Sequence, residues 1–540
     1  MENQKLFLYA ALGVLLLLIV QAWDHDHQGP PPPVASAVPT APAPGQVAVA
    51  IGGSNATAQP PALAAAPGGA AVTVSTDVLR AHLNTTGADL QRLAILQYPK
   101  ATGSAAPYHL FRTVQKPLFY TETGLIGSQD LPTHASSYQV HHHHYQLAPG
   151  HNSLHVRFYW QGAGGLRVVK DYVFHRGSYI VDLRYELKNQ GTAPVTIYPY
   201  AQFLRTRPPK PGHFHTTPIY LGGALYTPAS KYQKVTFSDI AKQPLKVSST
   251  QGWVAMSQHY FVAAFIPPPN ERVDYYSSHL KGGRYLLGYK AAEPLTLAAG
   301  ASGTIDSRLF AGPKQPALLR AAAPGLDLTV DYGWLTVLAV PLYWVLAHIE
   351  SVIGNWGWAI VLLTVAIKLL FFPLSAASYR SMAKMRKLQP RVDALRERHG
   401  DDRQTMQKAM MELYRAEKMN PLGGCLPMVV QIPVFIALYW VLLESVELRQ
   451  APFMLWIHDL SAPDPYFVLP VLMGITMVFQ QLLNPTMNID PMQRKIMLAL
   501  PVVFTVFFLF FPAGLVLYWV VSNLLSIVQQ WWITRVEAAR

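Results

Sequence analysis

The apolar residues of this chain are gathered in two places, an opening run at residues 6–23 and the last third, residues 334–533. This placement constrains the fold most, because runs that long and apolar belong in lipid, and lipid admits only helices and closed barrels. Of 540 residues 51% are hydrophobic and only 14% are charged, low for a soluble protein. The net charge of +13 then reads as cytoplasmic loops held by the positive-inside bias, and nucleic acid need not be invoked. The single cysteine, Cys425, excludes an intramolecular disulfide, so a domain outside the cytoplasm must rely on core burial.

Five regions follow. Residues 1–23 read as an uncleaved transmembrane anchor; Val20-Gln21-Ala22 would serve as a cleavage site, but the apolar run is long for a signal core. Residues 24–71, rich in Pro, Ala and Gly, cannot bury a core and read as an extended linker. Residues 72–323 carry short strand-like runs, at 154–160, 166–174 and 179–187, between Gly, Pro and Asn, which predicts an all-β antiparallel sandwich. Residues 324–354 contain an apolar run, Trp334 to Ile353, broken by Pro341, with Trp334, Tyr343 and Trp344 suited to the headgroup layer, which predicts an amphipathic helix at the membrane surface. Residues 355–540 hold spans at about 356–374, 422–443, 466–483, 496–511 and 515–533. The expected fold is a multi-domain membrane protein: an α-helical transmembrane bundle of six spans, anchor included, with a large all-β periplasmic domain.

Charge sets the orientation. Between Arg380 and Lys418 eleven basic residues face six acids, whereas residues 444–464 hold four acids and only Arg449. The first loop belongs in the cytoplasm and the second outside, which puts both termini in the cytoplasm of an inner membrane and the β-domain in the periplasm. Within the basic loop, residues 376–418, Met385, Leu388, Val392 and Leu395 recur at helical spacing. Met406, Met410 and Leu413 repeat the pattern after Gly400, with Asp401 or Asp402 as the cap of the second helix. This predicts a helical hairpin, either simply a solvated one or also a docking site.

Particular runs carry a family resemblance. They include Ser381-Met382-Ala383-Lys384-Met385, Asn420-Pro421-Leu422-Gly423-Gly424-Cys425, Gln431-Ile432-Pro433-Val434-Phe435 and Leu455-Trp456-Ile457-His458-Asp459-Leu460-Ser461. Asp490-Pro491-Met492-Gln493 and Phe511-Pro512-Ala513-Gly514-Leu515 continue them. From about Asp331 to Ile533 the chain resembles the YidC/Oxa/Alb family of membrane protein insertases, of the Gram-negative YidC type. The resemblance implies a periplasmic β-supersandwich similar to galactose mutarotases. It implies an insertase and chaperone that folds inner-membrane proteins through a hydrated groove open to lipid, alone or with the Sec translocon. Its partners would be nascent inner-membrane proteins and membrane lipids, with ribosome or signal recognition machinery at the cytoplasmic hairpin.

An insertase makes and breaks no covalent bond; it lowers the cost of taking a polar flank through hydrocarbon. That needs polar residues facing the bundle interior beside a smooth apolar wall. Lys368 lies in an apolar stretch with Thr364 one turn before it. Trp519, Ser522, Asn523 and Ser526 form a polar stripe at helical period, and Gln431 and Gln480 add polarity on other spans. Taken singly, these glutamines read as bonds between neighbouring helices; Gln431 is carried with the groove set. A lysine at position 368 could also snorkel to the headgroups. The resemblance implies a groove-facing positive charge there, usually arginine; lysine keeps the charge and loses the bidentate fork. It also implies a role for Thr364, Tyr518 and Trp519, the last commonly tyrosine, and a substrate-contacting wall at Phe435, Met473 and Phe507. On spacing alone these three are ordinary packing residues.

The run His141 to His144 suggests metal, but successive strand residues point to opposite faces and no acid or cysteine cluster accompanies them. No Walker loop, nucleophile elbow or zinc-hydrolase motif is present, so neither cofactor nor enzymatic activity is expected. Two rivals remain. A secondary transporter would use the intramembrane lysine, although no repeat pair is evident. A membrane-tethered sugar enzyme would need an acid–base pair in a periplasmic cleft, and the sequence reveals none.

Overall fold

The structure, a computed structural model, describes residues 68–540 apart from 115–116, 129, 210–218, 400–401, 418–425, 484–490 and 539–540. The expected anchor, nearly all of the linker, the helix end at Gly400 and the motif from Asn420 to Cys425 lie outside the described residues.

Residues 71–313 form sheets of five, nine and six strands. The nine-stranded sheet contains the three strands read from sequence, at Ser153–Gln161, Leu166–His175 and Ile180–Asn189, in consecutive antiparallel pairs. Ser302–Pro313 closes on the far side of Ile180–Asn189. Alternation decides the faces: Val156, Phe158, Val168, Tyr172, Phe174, Val181, Leu183 and Tyr185 point into the core. On the outer face Arg157, Asp171, Arg184 and Asp306 stand opposite one another across four strands, alternating in sign. One pair departs from the expected antiparallel pattern: Ala71–Ser75 runs parallel to His144–Gln146. The long stretch of chain between them makes a parallel pairing possible.

The core also holds a charge. Lys170, fully buried, donates to the Gly87 carbonyl at 2.6 Å, Asp89 at 3.1 Å and the Thr123 carbonyl at 3.3 Å. Its ammonium lies 5.6–5.7 Å from the rings of Tyr138, Tyr172 and Tyr185. Three donors thus find three acceptors, which is what a buried ammonium requires. The rings of His141 and His142 pack on Tyr159 and Tyr145.

The helices are α1 (Phe237–Lys242) and α2 (Pro316–Ala322) in the β-domain, then α3 (Thr336–Ile353), α4 (Trp356–Leu370), α5 (Phe372–His399), α6 (Arg403–Ala416), α7 (Leu426–Glu444), α8 (Val468–Leu483), α9 (Pro491–Phe508) and α10 (Ala513–Ala538). Among the described residues two helices are long and apolar enough to cross a membrane, Gly333–Ile353 and Ala513–Val536. A third span exists if α4 and the start of α5, bent by 64°, count as one. Val429–Glu444, Val468–Leu483 and Ala499–Phe508 are apolar but shorter. Among the described residues, length and composition thus support two or three spans and do not confirm six, and the helix read as lying on the surface is long enough to span.

Local sequence explains the boundaries. Asn355 caps α4 through the Trp358 amide, and α4 stops at Leu370, earlier than the expected 374. The helical hairpin is α5 and α6: Asp402 caps α6 by accepting from Gln404 and Thr405 amides, Leu388 and Val392 are buried at the seam, and Tyr414 joins them. The outer loop between α7 and α8 is built on two carboxylates. Asp459 accepts from the Gln450 and Ser461 amides, and Asp464 accepts from Trp456 Nε1 and the Tyr466 and Leu469 amides at the head of α8.

That loop and the end of α7 dock on the β-domain. Lys314 pairs with Glu444 at 2.9 Å, each side chain only 2% exposed. His259 Nε2 lies 3.1 Å from the Leu443 carbonyl. Burial pushes the His259 imidazole down to about 4, so it is neutral and donates this bond. Arg449 donates to the Pro99 carbonyl at 2.7 Å and lies over the Tyr108 ring, while Thr102 reaches Asp459. The Tyr343 hydroxyl of α3 donates to Glu447 at 2.7 Å, and burial holds the Glu447 carboxyl above its ordinary range.

Candidate functional site: a polar cluster between α4, α7 and α10

The centre is Lys368, in the last turn of α4. Its ammonium points into the bundle, 8% of the residue being exposed, and donates to Ser526 Oγ at 2.8 Å on α10 and Gln431 Oε1 at 3.3 Å on α7. Gln431 Nε2 in turn donates to Ser522 Oγ at 3.1 Å. Ser526 also bonds its own helix, donating to the Ser522 carbonyl at 2.8 Å. Three helices therefore share one hydrogen-bonded chain around a cation, and among the described residues no carboxylate pairs with it. Inward bonding at these distances is the opposite of snorkelling, in which the head would leave for the interface.

The remaining expected residues separate into groups. Thr364 is fully buried, and its hydroxyl donates to the Ile360 carbonyl of its own helix at 2.7 Å rather than joining the chain. Asn523 faces a different neighbour: its amide donates to Thr476 on α8 at 3.2 Å, and Thr476 donates to the Met473 carbonyl. The stripe on α10 thus serves two junctions. Tyr518 is buried beside Gln431 and Ser522, and its hydroxyl meets neither in good hydrogen-bond geometry. Trp519 takes the edge of Phe435 at 4.7 Å between ring centroids, and Phe435 also stacks on Tyr518 at 6.1 Å.

The three wall residues do not share one surface. Phe435 is half-buried against Tyr518 and Trp519, Met473 has no exposed surface, and Phe507 is 48% exposed beside Phe508 and Phe511. Gln480 is half-buried on α8. Two residues join the site without having been expected. Tyr379 of α5 reaches Ser526, and Gln530, one turn beyond Ser526, is buried and donates to the Leu483 carbonyl at 3.1 Å. Gln530 continues the helical spacing of the stripe, so periodicity could have found it. Tyr379 lies across a bend and carried no such signal.

An apolar helical bundle with a cation held by neutral hydrogen-bond partners, joined to a β-domain docked on its outer loop, defines a multi-pass membrane protein with an extramembranous β-domain. Residues 348–540 match the family described as 60Kd inner membrane protein, and residues 71–345 match the YidC periplasmic domain. The chain is 51% identical over 466 residues to the membrane protein insertase YidC of Methylobacillus flagellatus, 86% of this chain and 84% of that one. It is 47% identical over 544 residues to the protein of that name in Nitrosococcus oceani, 99% of each. A solved structure titled active YidC insertase with its first transmembrane domain resolved is 18% identical and covers 85% of this chain and 91% of its own, with a TM-score of 0.39. The chain belongs to the YidC family of membrane protein insertases.

Proposed function

We propose that this chain inserts and folds other proteins' helices in the inner membrane, using the cleft between α4, α7 and α10 as a hydrated entry for polar flanks. The observation that carries the reading is Lys368 bonded to Gln431 and Ser526 with no carboxylate partner described. A cation placed so keeps its charge available, and a charge in hydrocarbon draws water in. A substrate flank then meets ammonium, amide and hydroxyl groups in place of lipid tails. The substrate's apolar helix leaves past Phe435 and Trp519 and along Phe507, and Met473 supports that wall from behind. Tyr518 and Ser522 complete the lining, while Thr364 is bonded within α4 and Asn523 braces α10 against α8.

Helix length supports the same reading. Between its Asn355 cap and Phe371, α4 has 15 residues, about 22 Å against a hydrocarbon core of roughly 30 Å. A short span thins the bilayer around it and shortens the dry path. The working unit has six spans, counting residues 6–23 and the shorter helices, with both termini cytoplasmic, residues 72–323 periplasmic and the 324–354 segment at the outer surface. The exposed Trp334, Val337 and Trp344 of that segment suit the headgroup layer. The Sec translocon is the partner for larger substrates, and the α5–α6 hairpin the contact for ribosome and signal recognition machinery.

The test is reconstitution. Purified protein in liposomes is given a small single-span substrate with an acidic translocated flank, and protection of that flank from added protease is measured. Insertion well above that of empty liposomes is expected; equality with empty liposomes overturns the reading. Orientation is tested by impermeant thiol labelling of Gln404→Cys with Cys425 replaced by serine. Labelling from outside spheroplasts would refute a cytoplasmic hairpin.

A further inference from the structure

We infer that Lys314 is a positioning residue for the insertion site: its ion pair with Glu444 anchors the outer end of α7, the helix that presents Gln431 and Phe435, and so ties the β-domain to the cleft. The pair joins residues 130 apart in sequence, at 2.9 Å, with both side chains 2% exposed. Lys314 follows directly on Ser302–Pro313, the strand that runs through the nine-stranded sheet, so its backbone is fixed by the sheet. Its ammonium also donates to the Thr329 carbonyl at 3.3 Å. Glu444 is the last residue of α7.

Anchoring matters because of where α7 reaches. Gln431 lies thirteen residues before Glu444, about 20 Å along the axis, and Phe435 about 14 Å. Held at that end, α7 sets the height of Phe435 against Tyr518 directly and that of Gln431 against Ser522 through the single weak point at Pro433. The same end is held twice more, by His259 on the Leu443 carbonyl and by Arg449 on the Pro99 carbonyl. These contacts set position but not charge; Lys314 and Glu444 are the buried ionic element, in which loss of one partner leaves the other charged and unpaired. Pro433 lies between the anchored end and Gln431 and has no amide to give to the Val429 carbonyl. Any yielding of α7 is therefore concentrated at Pro433, on the cleft side of the anchor.

The inference rests on the insertase reading, so the experiment has a readout that does not. In a background with Cys425 replaced by serine, cysteines at Gln431 and Ser522 are bridged with a short bifunctional thiol reagent, and insertion is assayed separately without them. Lys314→Met and Glu444→Gln should each lower bridging severalfold and lower insertion about tenfold at equal membrane levels. The exchanged pair Lys314→Glu with Glu444→Lys should restore most of both. Single variants with unchanged bridging overturn the inference, as does an exchanged pair that accumulates normally without recovering. If the single variants do not accumulate, the exchanged pair alone decides by the same criterion. Loss of insertion by the unaltered protein would instead sink the insertase reading and leave the bridging result standing.

Discussion

Lys368 on α4 and Ser526 on α10, 158 residues apart, are joined by a 2.8 Å hydrogen bond in which the lysine is the donor. The acceptor is a neutral hydroxyl, so the positive charge is held without being neutralised. A carboxylate partner would have fixed the ammonium and left little field for a passing substrate.

The consequence is measurable by substitution. Lys368→Arg should retain insertion, because the charge remains and arginine still donates to Ser526 and Gln431. Lys368→Ala should lower insertion of substrates with charged flanks tenfold or more, equivalent to about 1.4 kcal/mol or greater, with little effect on nearly apolar ones. Lys368→Glu should fail for acidic flanks by repulsion. Substrates differing only in flank charge, compared at equal membrane levels, provide the check. Normal rates for both the alanine and glutamate variants would remove the charge from the mechanism.

The junction of α8 and α9 leaves no room at Gly474. A Cβ there would overlap Thr505 Oγ1, which is already committed to the Pro501 carbonyl at 2.7 Å. Gly474→Ala should therefore destabilise by about 1–3 kcal/mol, despite alanine's better helix propensity. Thr505→Ala in the same chain should recover most of the loss. Thermal unfolding in detergent distinguishes the cases, and a stabilised single variant would show that the helices part easily.

His259 makes docking of the β-domain sensitive to acid. Its folded value, about 4, lies below the ordinary 6.5, so the undocked state binds the extra proton. Stability from this group is complete above pH 6.5 and falls as pH drops toward 4, by about 2 kcal/mol for this partly buried ring. Limited proteolysis between residues 313 and 336 should speed up across that window. His259→Asn, which keeps a donor near the Leu443 carbonyl, should flatten the dependence; an unchanged pH profile would remove His259 from it.

The buried ammonium of Lys170 gives a sharp stability test. Lys170→Met leaves Asp89 without its cation and should cost about 3–5 kcal/mol. Lys170→Met with Asp89→Leu should regain much of that, since an apolar pair leaves no stranded charge. Urea midpoints of the full chain in detergent measure both. A single variant as stable as the parent would mean that Thr123, which also donates to Asp89 at 2.8 Å, suffices alone.

Much of this was legible in the chain because it is local. Strands at 154–160, 166–174 and 179–187 declared themselves by alternation and turn residues, and each is present with its ends within two residues of those expected. The polar stripe on α10 was legible for the same reason, since helical period places Ser522 and Ser526 together. What was hidden is long-range. Nothing in spacing joins Lys314 to Glu444, or separates Asn523 from Ser522 by sending it to Thr476. Thr364 was expected beside Lys368 on one face, yet its hydroxyl turns back on α4, a choice made by rotamer rather than by position. The α4 end at Leu370 was obscured because Phe371 and Phe372 are as apolar as what precedes them, so composition could not show the bend.

The docking of Lys314 on Glu444 also orders biosynthesis. Synthesis runs from the N-terminus, and domains fold as units in that order. Every β-domain residue in the contact, from Pro99 through His259 to Lys314, leaves the ribosome before α7 exists. The β-domain is thus fully synthesised before the end of α7 that it receives. A machine that helps other chains find their place in lipid would build its own cleft by a templated step, with an already synthesised part of itself as the template.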